Sequence, residues 1–255
     1  MPAPGMHSGD ATDEALNLAM SAAALPLYEA VIEFIANEID PITEEFFALG
    51  DGRSDRWQFA DGQLELLDGA KAKARDAGLW NFFLPDAETG EGLSNLDYAY
   101  IAAELGKNPL AAECLNCSAP DTGNMEVLER VGTLEQKERW LQPLLNGEIR
   151  SAFAMTEPDV ASSDAKNVAT VAELDGDEWL INGEKFYISG AGDPRCKIMI
   201  VMVRTSPDAP PHRQQSQILV PMDTPGVEIV GPMHVFGQDD APHGHMHLRF
   251  TDVRV

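Results

Sequence analysis

The chain has 255 residues, 44% of them hydrophobic and 24% charged, proportions that suit a globular protein able to bury a sizeable core. Its formal net charge of −24 serves solubility and repels nucleic acid and anionic membrane surfaces, which need positive charge to replace their counterions. No apolar run approaches the ~20 residues a membrane-spanning helix needs, and the opening MPAPGMHSGDATDEA lacks the basic and apolar regions of a secretory signal; a cytoplasmic protein with no membrane span and no nucleic-acid partner is expected.

The Pro/Gly/Asp-rich opening reads as a frayed lead-in. Apolar residues then recur with helical period at Leu25, Leu27, Val31, Ile32, Phe34, Ile35 and Ile39, and Pro41 is predicted to break the helix. Further helices are predicted around 61–77, 94–107, 122–131 and 134–145. Ser94 to Asp97 and Thr133 to Gln136 have capping-box spacing, and Gly78 and Gly106 are plausible C-terminal stops. From Ser151 the pattern changes to short alternating runs: SAFAMT, NVATVAEL, DEWLINGEKFYIS, KIMIVMVRT, SQILVPM, VEIV and HMHLRF. Asp175-Gly176 and Asn182-Gly183 read as hairpin-type turns, and Pro207, Pro210 and Pro211 mark a loop. The predicted class is α+β, with an all-helical domain over 1–148 and a small antiparallel β-barrel-like domain over 149–255.

The odd set Cys114, Cys117 and Cys196 argues against a disulfide framework. Cys114 and Cys117 form a CxxC without a second pair, so buried helix thiols are expected. His243, His245 and His247 alternate, which predicts one strand face, but no carboxylate lies at supporting spacing. No metal site is expected. The stretch Phe153-Ala-Met-Thr-Glu-Pro-Asp-Val-Ala-Ser-Ser-Asp164 carries small and hydroxyl residues after a strand, which leaves backbone N–H groups approachable by an anion; a plain surface loop would look much the same.

That stretch resembles the Thr-Glu-Pro signature of the acyl-CoA dehydrogenases, and Ile181-Asn-Gly-Glu-Lys-Phe-Tyr-Ile-Ser-Gly190 resembles a second family block at the right distance. Ala119–Val127, Val160–Asp164, Asp193–Cys196 and His212–Ser216 look like acyl-CoA dehydrogenase family members ten and eleven. The resemblance runs through the N-terminal and middle domains, up to Val253-Arg-Val255. It implies an FAD enzyme that desaturates a fatty acyl-CoA and passes electrons to an electron-transfer flavoprotein, as a homodimer or tetramer.

The resemblance also implies site roles. Met155 and Thr156 would contact the N1–C2 carbonyl edge of the flavin, where negative charge gathers on reduction. Ala161, Ser162 and Ser163 would approach the FAD diphosphate, Ser163 also touching the acyl-CoA. Tyr187 stands where the family usually has a Trp against the isoalloxazine ring, Ile188 follows it, and Ser189 would reach the N5 region; Phe153 would line the same pocket. Ser162 replaces a common glycine, and its side chain is expected to add a hydrogen bond to the diphosphate. His212-Arg213 is a candidate basic contact for a CoA phosphate, and Glu157 is expected to be structural. The family's catalytic base sits on a C-terminal four-helix domain that is expected to be absent here, so no catalytic residue is assigned. Two alternatives stay open: a non-catalytic or truncated flavin-binding subunit that needs a partner, and an acyl-CoA oxidase.

Overall fold

A computed structural model describes residues 18–85 and 90–255; the lead-in expected to be frayed lies outside the described residues. The first helix, α1 (Leu25–Phe34), does not end at Pro41. One π-helical turn, Ile35–Ile39, carries it into α2 (Asp40–Gly50), with Pro41 in the opening turn of α2. A proline is tolerated there because the first N–H groups of a helix need no intrahelical acceptor, and the wide turn absorbs the misfit.

The helices α3 (Gln63–Asp76) and α4 (Asn95–Leu105) follow, the latter capped by Ser94, whose hydroxyl accepts the Asp97 N–H. A short α5 (Ala111–Cys114) leads to α6 (Asp121–Val131). Next come α7 (Leu134–Gln136), opened by the full Thr133–Gln136 capping box, a π turn over Lys137–Leu141, and α8 (Gln142–Leu145). Val31, Phe34, Ile39, Leu67, Phe82, Ile101, Leu115 and Met125 belong to the buried core these helices share. Cys114 and Cys117 sit in that core as free thiols, and burial pushes both up from their ordinary range.

Seven strands follow: β1 (Arg150–Ala154), β2 (Val171–Asp175), β3 (Glu178–Ser189), β4 (Cys196–Arg204), β5 (Gln215–Pro221), β6 (Val227–Pro232) and β7 (His245–Arg254). They form one curled sheet in the order β1-β4-β2-β3-β7-β6, with β5 also paired to β4. Most pairings are antiparallel, as the alternating runs suggest, but β1 runs parallel to β4, so the sheet is mixed. Asp175-Gly176 is the β2–β3 turn. Asn182-Gly183 is not a turn: it lies inside β3 at a bulge against β7. Gly183 is needed there because an added Cβ would come within 2.8 Å of the Thr170 backbone.

The sheet has its own core, including Ala152, Ala154, Ile181, Met199, Val201 and Leu248, while Ile198 of β4 packs into the helical core. Between the two cores lies a cluster of paired charges. Glu113 meets Lys71 at 2.9 Å, Arg150 at 2.6 Å and Arg195 at 2.5 Å; Arg150 also pairs with Asp121, and Arg195 with Asp193 at 2.7 Å. Three cations therefore face three carboxylates where the helices meet the sheet.

A candidate flavin-contacting face

β1 delivers the signature stretch to the end of the sheet. Phe153 is half-buried on the face opposite Ala152 and Ala154, as strand alternation requires. Beyond the strand, the chain is held from below by a buried ion pair. Lys185 of β3, fully buried, donates to Glu157 at 2.8 Å and to the Met155 carbonyl at 3.0 Å. The Glu157 carboxylate also accepts the N–H groups of Ala169 at 2.7 Å and Thr170 at 2.9 Å. Burial alone would push the Glu157 carboxyl up; Lys185, Thr170 and the backbone donors outweigh it and hold it below the ordinary range. Glu157 is therefore a charged structural anchor, with its oxygens committed.

The same loop is folded by Ser162. Its Oγ accepts the Glu157 N–H at 2.6 Å, and the residue is 2% exposed. The serine at the glycine position thus turns into the loop, where its oxygen accepts a backbone N–H, a bond that leaves its hydroxyl proton uncommitted. Ala161 and Ser163 are exposed on the outside of the loop. Asp164 caps the following 3-10 turn through Lys166 N, and His212 is close enough to help lower its carboxyl.

β3 comes alongside through a reciprocal pair of bonds. Phe186 N–H donates to the Thr156 carbonyl at 2.9 Å, and Thr156 Oγ1 donates to the Phe186 carbonyl at 2.6 Å. The pairing of β3 with β7 is broken by a bulge between Lys185 and Ile188. Inside that bulge Tyr187 has φ +56, a left-handed conformation that costs an L-residue roughly 1–2 kcal/mol. Its N–H donates to Met233 Sδ at 3.2 Å, its ring meets Phe186 edge-on at 5.0 Å, and the residue stays 43% exposed. An aromatic ring is being presented to the outside at a conformational cost. The Ile188 side chain is 1% exposed and packs into the sheet core, so its backbone is the part left to face a ligand. Ser189 follows, half-buried, with Oγ 2.8 Å from His245 Nδ1.

Met155, Thr156 and Tyr187 are thus brought to one face, with Ser189 at its edge and Ser163 on the adjoining loop. Sequence reasoning gave no part in this face to Phe186, Met233 or His245, whose contacts there depend on cross-strand register. It also missed Lys185, although a lysine two residues from Gly183 and four from Ile181 on the inward side of a strand was a readable sign of a buried partner. The three histidines do not share a strand face. His243 precedes β7 and lines a cavity beside Arg150 and Arg195, while His247 pairs with Glu184 at 2.7 Å. A larger cavity of about 720 Å³, lined in part by Trp57, Trp140, Lys197 and Met246, contains none of the candidate residues. The candidate site is an open face and not that cleft, since its chemistry is carried by an exposed ring and hydroxyls. Among the described residues no group of His, Cys, Asp and Glu is arranged to hold a metal ion, and no helix is long and apolar enough to cross a membrane.

Comparison with known proteins places both parts of the chain in one family. Residues 22–148 match the acyl-CoA dehydrogenase N-terminal domain and residues 152–253 the acyl-CoA dehydrogenase middle domain. The mouse protein acyl-CoA dehydrogenase family member 10 is 49% identical over 242 residues, covering 92% of this chain and 22% of the relative. The Mycobacterium tuberculosis protein FadE2, named as an acyl-CoA dehydrogenase, is 48% identical over 246 residues, covering 94% of this chain and 58% of the relative. A solved Mycobacterium abscessus structure described as an acyl-CoA dehydrogenase superposes with a TM-score of 0.86 at 48% identity, over 93% of this chain and 59% of the other. The chain belongs to the acyl-CoA dehydrogenase family. It spans less than two thirds of the length of each of these relatives.

Proposed function

We propose that this chain carries the flavin-contacting part of an FAD-dependent enzyme that oxidises a fatty acyl-CoA to the trans-2-enoyl-CoA, with electrons passing to an electron-transfer flavoprotein. The observation that carries the reading is Tyr187, a strained, exposed aromatic locked beside Thr156 by the bulge in β3. Backbone strain of this kind persists where the surroundings enforce it, and it concentrates at ligand sites. The residues present fit a flavin: a flat ring, two hydroxyl residues, and a loop of small residues whose outer side is open to phosphate oxygens.

Bound FAD would supply the hydride acceptor. Tyr187 would pack against its ring system, Met155 and Thr156 would face the pyrimidine edge, Ser189 the N5 side, and Ala161 and Ser163 the diphosphate. Phe153 would complete the wall and Ser163 would also meet the acyl-CoA. Thr156 Oγ1 gives its proton to Phe186, so it would face the cofactor as an acceptor while its backbone N–H supplies the donor. Ser162 would hold the loop through its oxygen while its hydroxyl proton is directed to a diphosphate oxygen. We assign the domains as 1–148 and 149–255, with the acid–base step supplied from outside the described face, because the signature's own glutamate, Glu157, is already committed to Lys185 and two N–H groups. That commitment also supports the reading of a flavin-binding part completed by further protein; the homo-oligomer is proposed from the family resemblance alone. Free, buried cysteines fit a cytoplasmic setting.

The test is reconstitution with FAD followed by anaerobic addition of acyl-CoA. A flavin absorbance that bleaches supports the full reading. Flavin uptake without bleaching supports the incomplete-site reading, bleaching that reverses rapidly in air supports an oxidase, and no uptake rejects the flavin site.

A further inference from the structure

Ser189 and His245 are register partners on β3 and β7. Ser189 Oγ lies 2.8 Å from His245 Nδ1, and His245 Nε2 lies 3.3 Å from Asp240 Oδ2, forming a continuous Ser–His–Asp chain. Asp240 is aimed by its backbone. It has φ +51, a conformation aspartate tolerates better than most residues, and its carbonyl accepts the Gly244 N–H at 2.8 Å. Its neighbour Asp239 is fixed by Arg56 at 2.9 Å, which ties this turn to the segment between α2 and α3.

With a neutral imidazole, the carboxylate end sets the hydrogen-bond direction of the chain. An ionised carboxylate only accepts, so the imidazole proton belongs on Nε2, facing Asp240. In the neutral ring Nδ1 is then a bare acceptor, and the one donor facing it is the Ser189 hydroxyl. Ser189 has a single proton; having given it to His245, the oxygen presents only lone pairs in other directions.

We infer that His245, oriented by Asp240, is a positioning residue that makes Ser189 an acceptor toward the N5 side of the flavin. The inference rests on the placement of FAD proposed above. Its consequence is thermodynamic. Oxidised N5 carries a lone pair, which an acceptor does not stabilise, whereas reduced N5 carries a hydrogen, which an acceptor does. The chain therefore favours the reduced cofactor, by about the worth of one hydrogen bond.

Two measurements test it. In the chain without cofactor, ¹⁵N NMR of the His245 ring near neutral pH is expected to show hydrogen on Nε2 and a bare Nδ1, and Asp240→Asn is expected to erode that preference; hydrogen on Nδ1 overturns the inference. In the FAD-loaded protein, His245→Leu and Ser189→Ala are each expected to weaken binding of reduced relative to oxidised flavin about tenfold, a fall of about 30 mV for a two-electron couple. The double variant is expected to fall no further than Ser189→Ala, because His245 acts through Ser189. His245→Asn, which restores an acceptor near the Nδ1 position, is expected to recover the wild-type potential. A fall in Ser189→Ala with none in His245→Leu overturns the positioning role. No change in either variant, with flavin bound, overturns the placement of Ser189 beside N5 on which the role depends.

Discussion

Tyr187 is held in a conformation most L-residues avoid, and its ring faces outward with little to pack against except Phe186. Both facts make the same substitution informative. Tyr187→Gly relieves a strain of roughly 1–2 kcal/mol while losing an aromatic pair worth ~0.5–1.5 kcal/mol and gaining unfolded-state entropy. The unfolding free energy from urea denaturation is therefore expected to stay within about 1 kcal/mol of wild type. FAD affinity, measured by quenching of flavin fluorescence, is expected to drop at least about tenfold if a stacking worth ~1.4 kcal/mol is lost. A large stability loss with unchanged affinity would make Tyr187 a packing residue. Ser162 gives the opposite signature. Its hydroxyl is buried on Glu157 N–H, so Ser162→Ala leaves a buried donor unpaired and is expected to cost about 1–3 kcal/mol of stability.

The signature loop and β3 act as one element because Glu157 and Lys185 pin them together. Glu157→Gln leaves a fully buried ammonium without its counter-charge, and a loss of about 3–5 kcal/mol is expected by denaturant unfolding. The double variant Glu157→Leu, Lys185→Met removes both charges and is expected to recover much of that loss; strict additivity of the two single losses would show that the pair is not coupled. Elements were also where sequence reasoning divided most clearly. Seven alternating runs gave seven strands, and Ser94 and Thr133 cap helices as their spacing implied, because caps and alternation are local. Pro41 and Gly183 misled for a related reason: Pro41 opens the helix that follows a π turn and Gly183 lies at a bulge, and neither irregularity has a local signature. The Ser189–His245 contact and the parallel β1–β4 pairing likewise depend on register, which no single segment encodes.

At the scale of the whole molecule, the helical and sheet cores are joined by the charge cluster around Glu113. Burial alone would push the Glu113 carboxyl up, but Arg150, Arg195 and Lys71 outweigh it and hold it well below its ordinary value of 4.5. A carboxyl depressed in the folded state contributes stability at pH values above its unfolded pKa and loses it as pH falls through and below that value. Melting temperature is therefore expected to decline as pH drops below about 4.5, and Glu113→Gln is expected to be less stable at pH 7 and to decline less steeply on acidification. Parallel acid profiles for the two proteins would remove Glu113 as the source. Composition and residue pattern made the class and the family legible, since helical and alternating stretches separate cleanly near residue 149 and two signature blocks fall in register. The joining cluster was not legible, because Lys71, Glu113, Arg150 and Arg195 come from four separate segments.

The central claim is that one face, built from the 153–164 loop and the 185–189 bulge, receives the flavin. Hydrogen-exchange mass spectrometry of the chain with and without excess FAD tests it most directly. Protection is expected in peptides covering 153–164 and 185–189, with the cavity beside Trp57 and Trp140 unchanged. Protection at Trp57 and Trp140 with none in those two segments would contradict it.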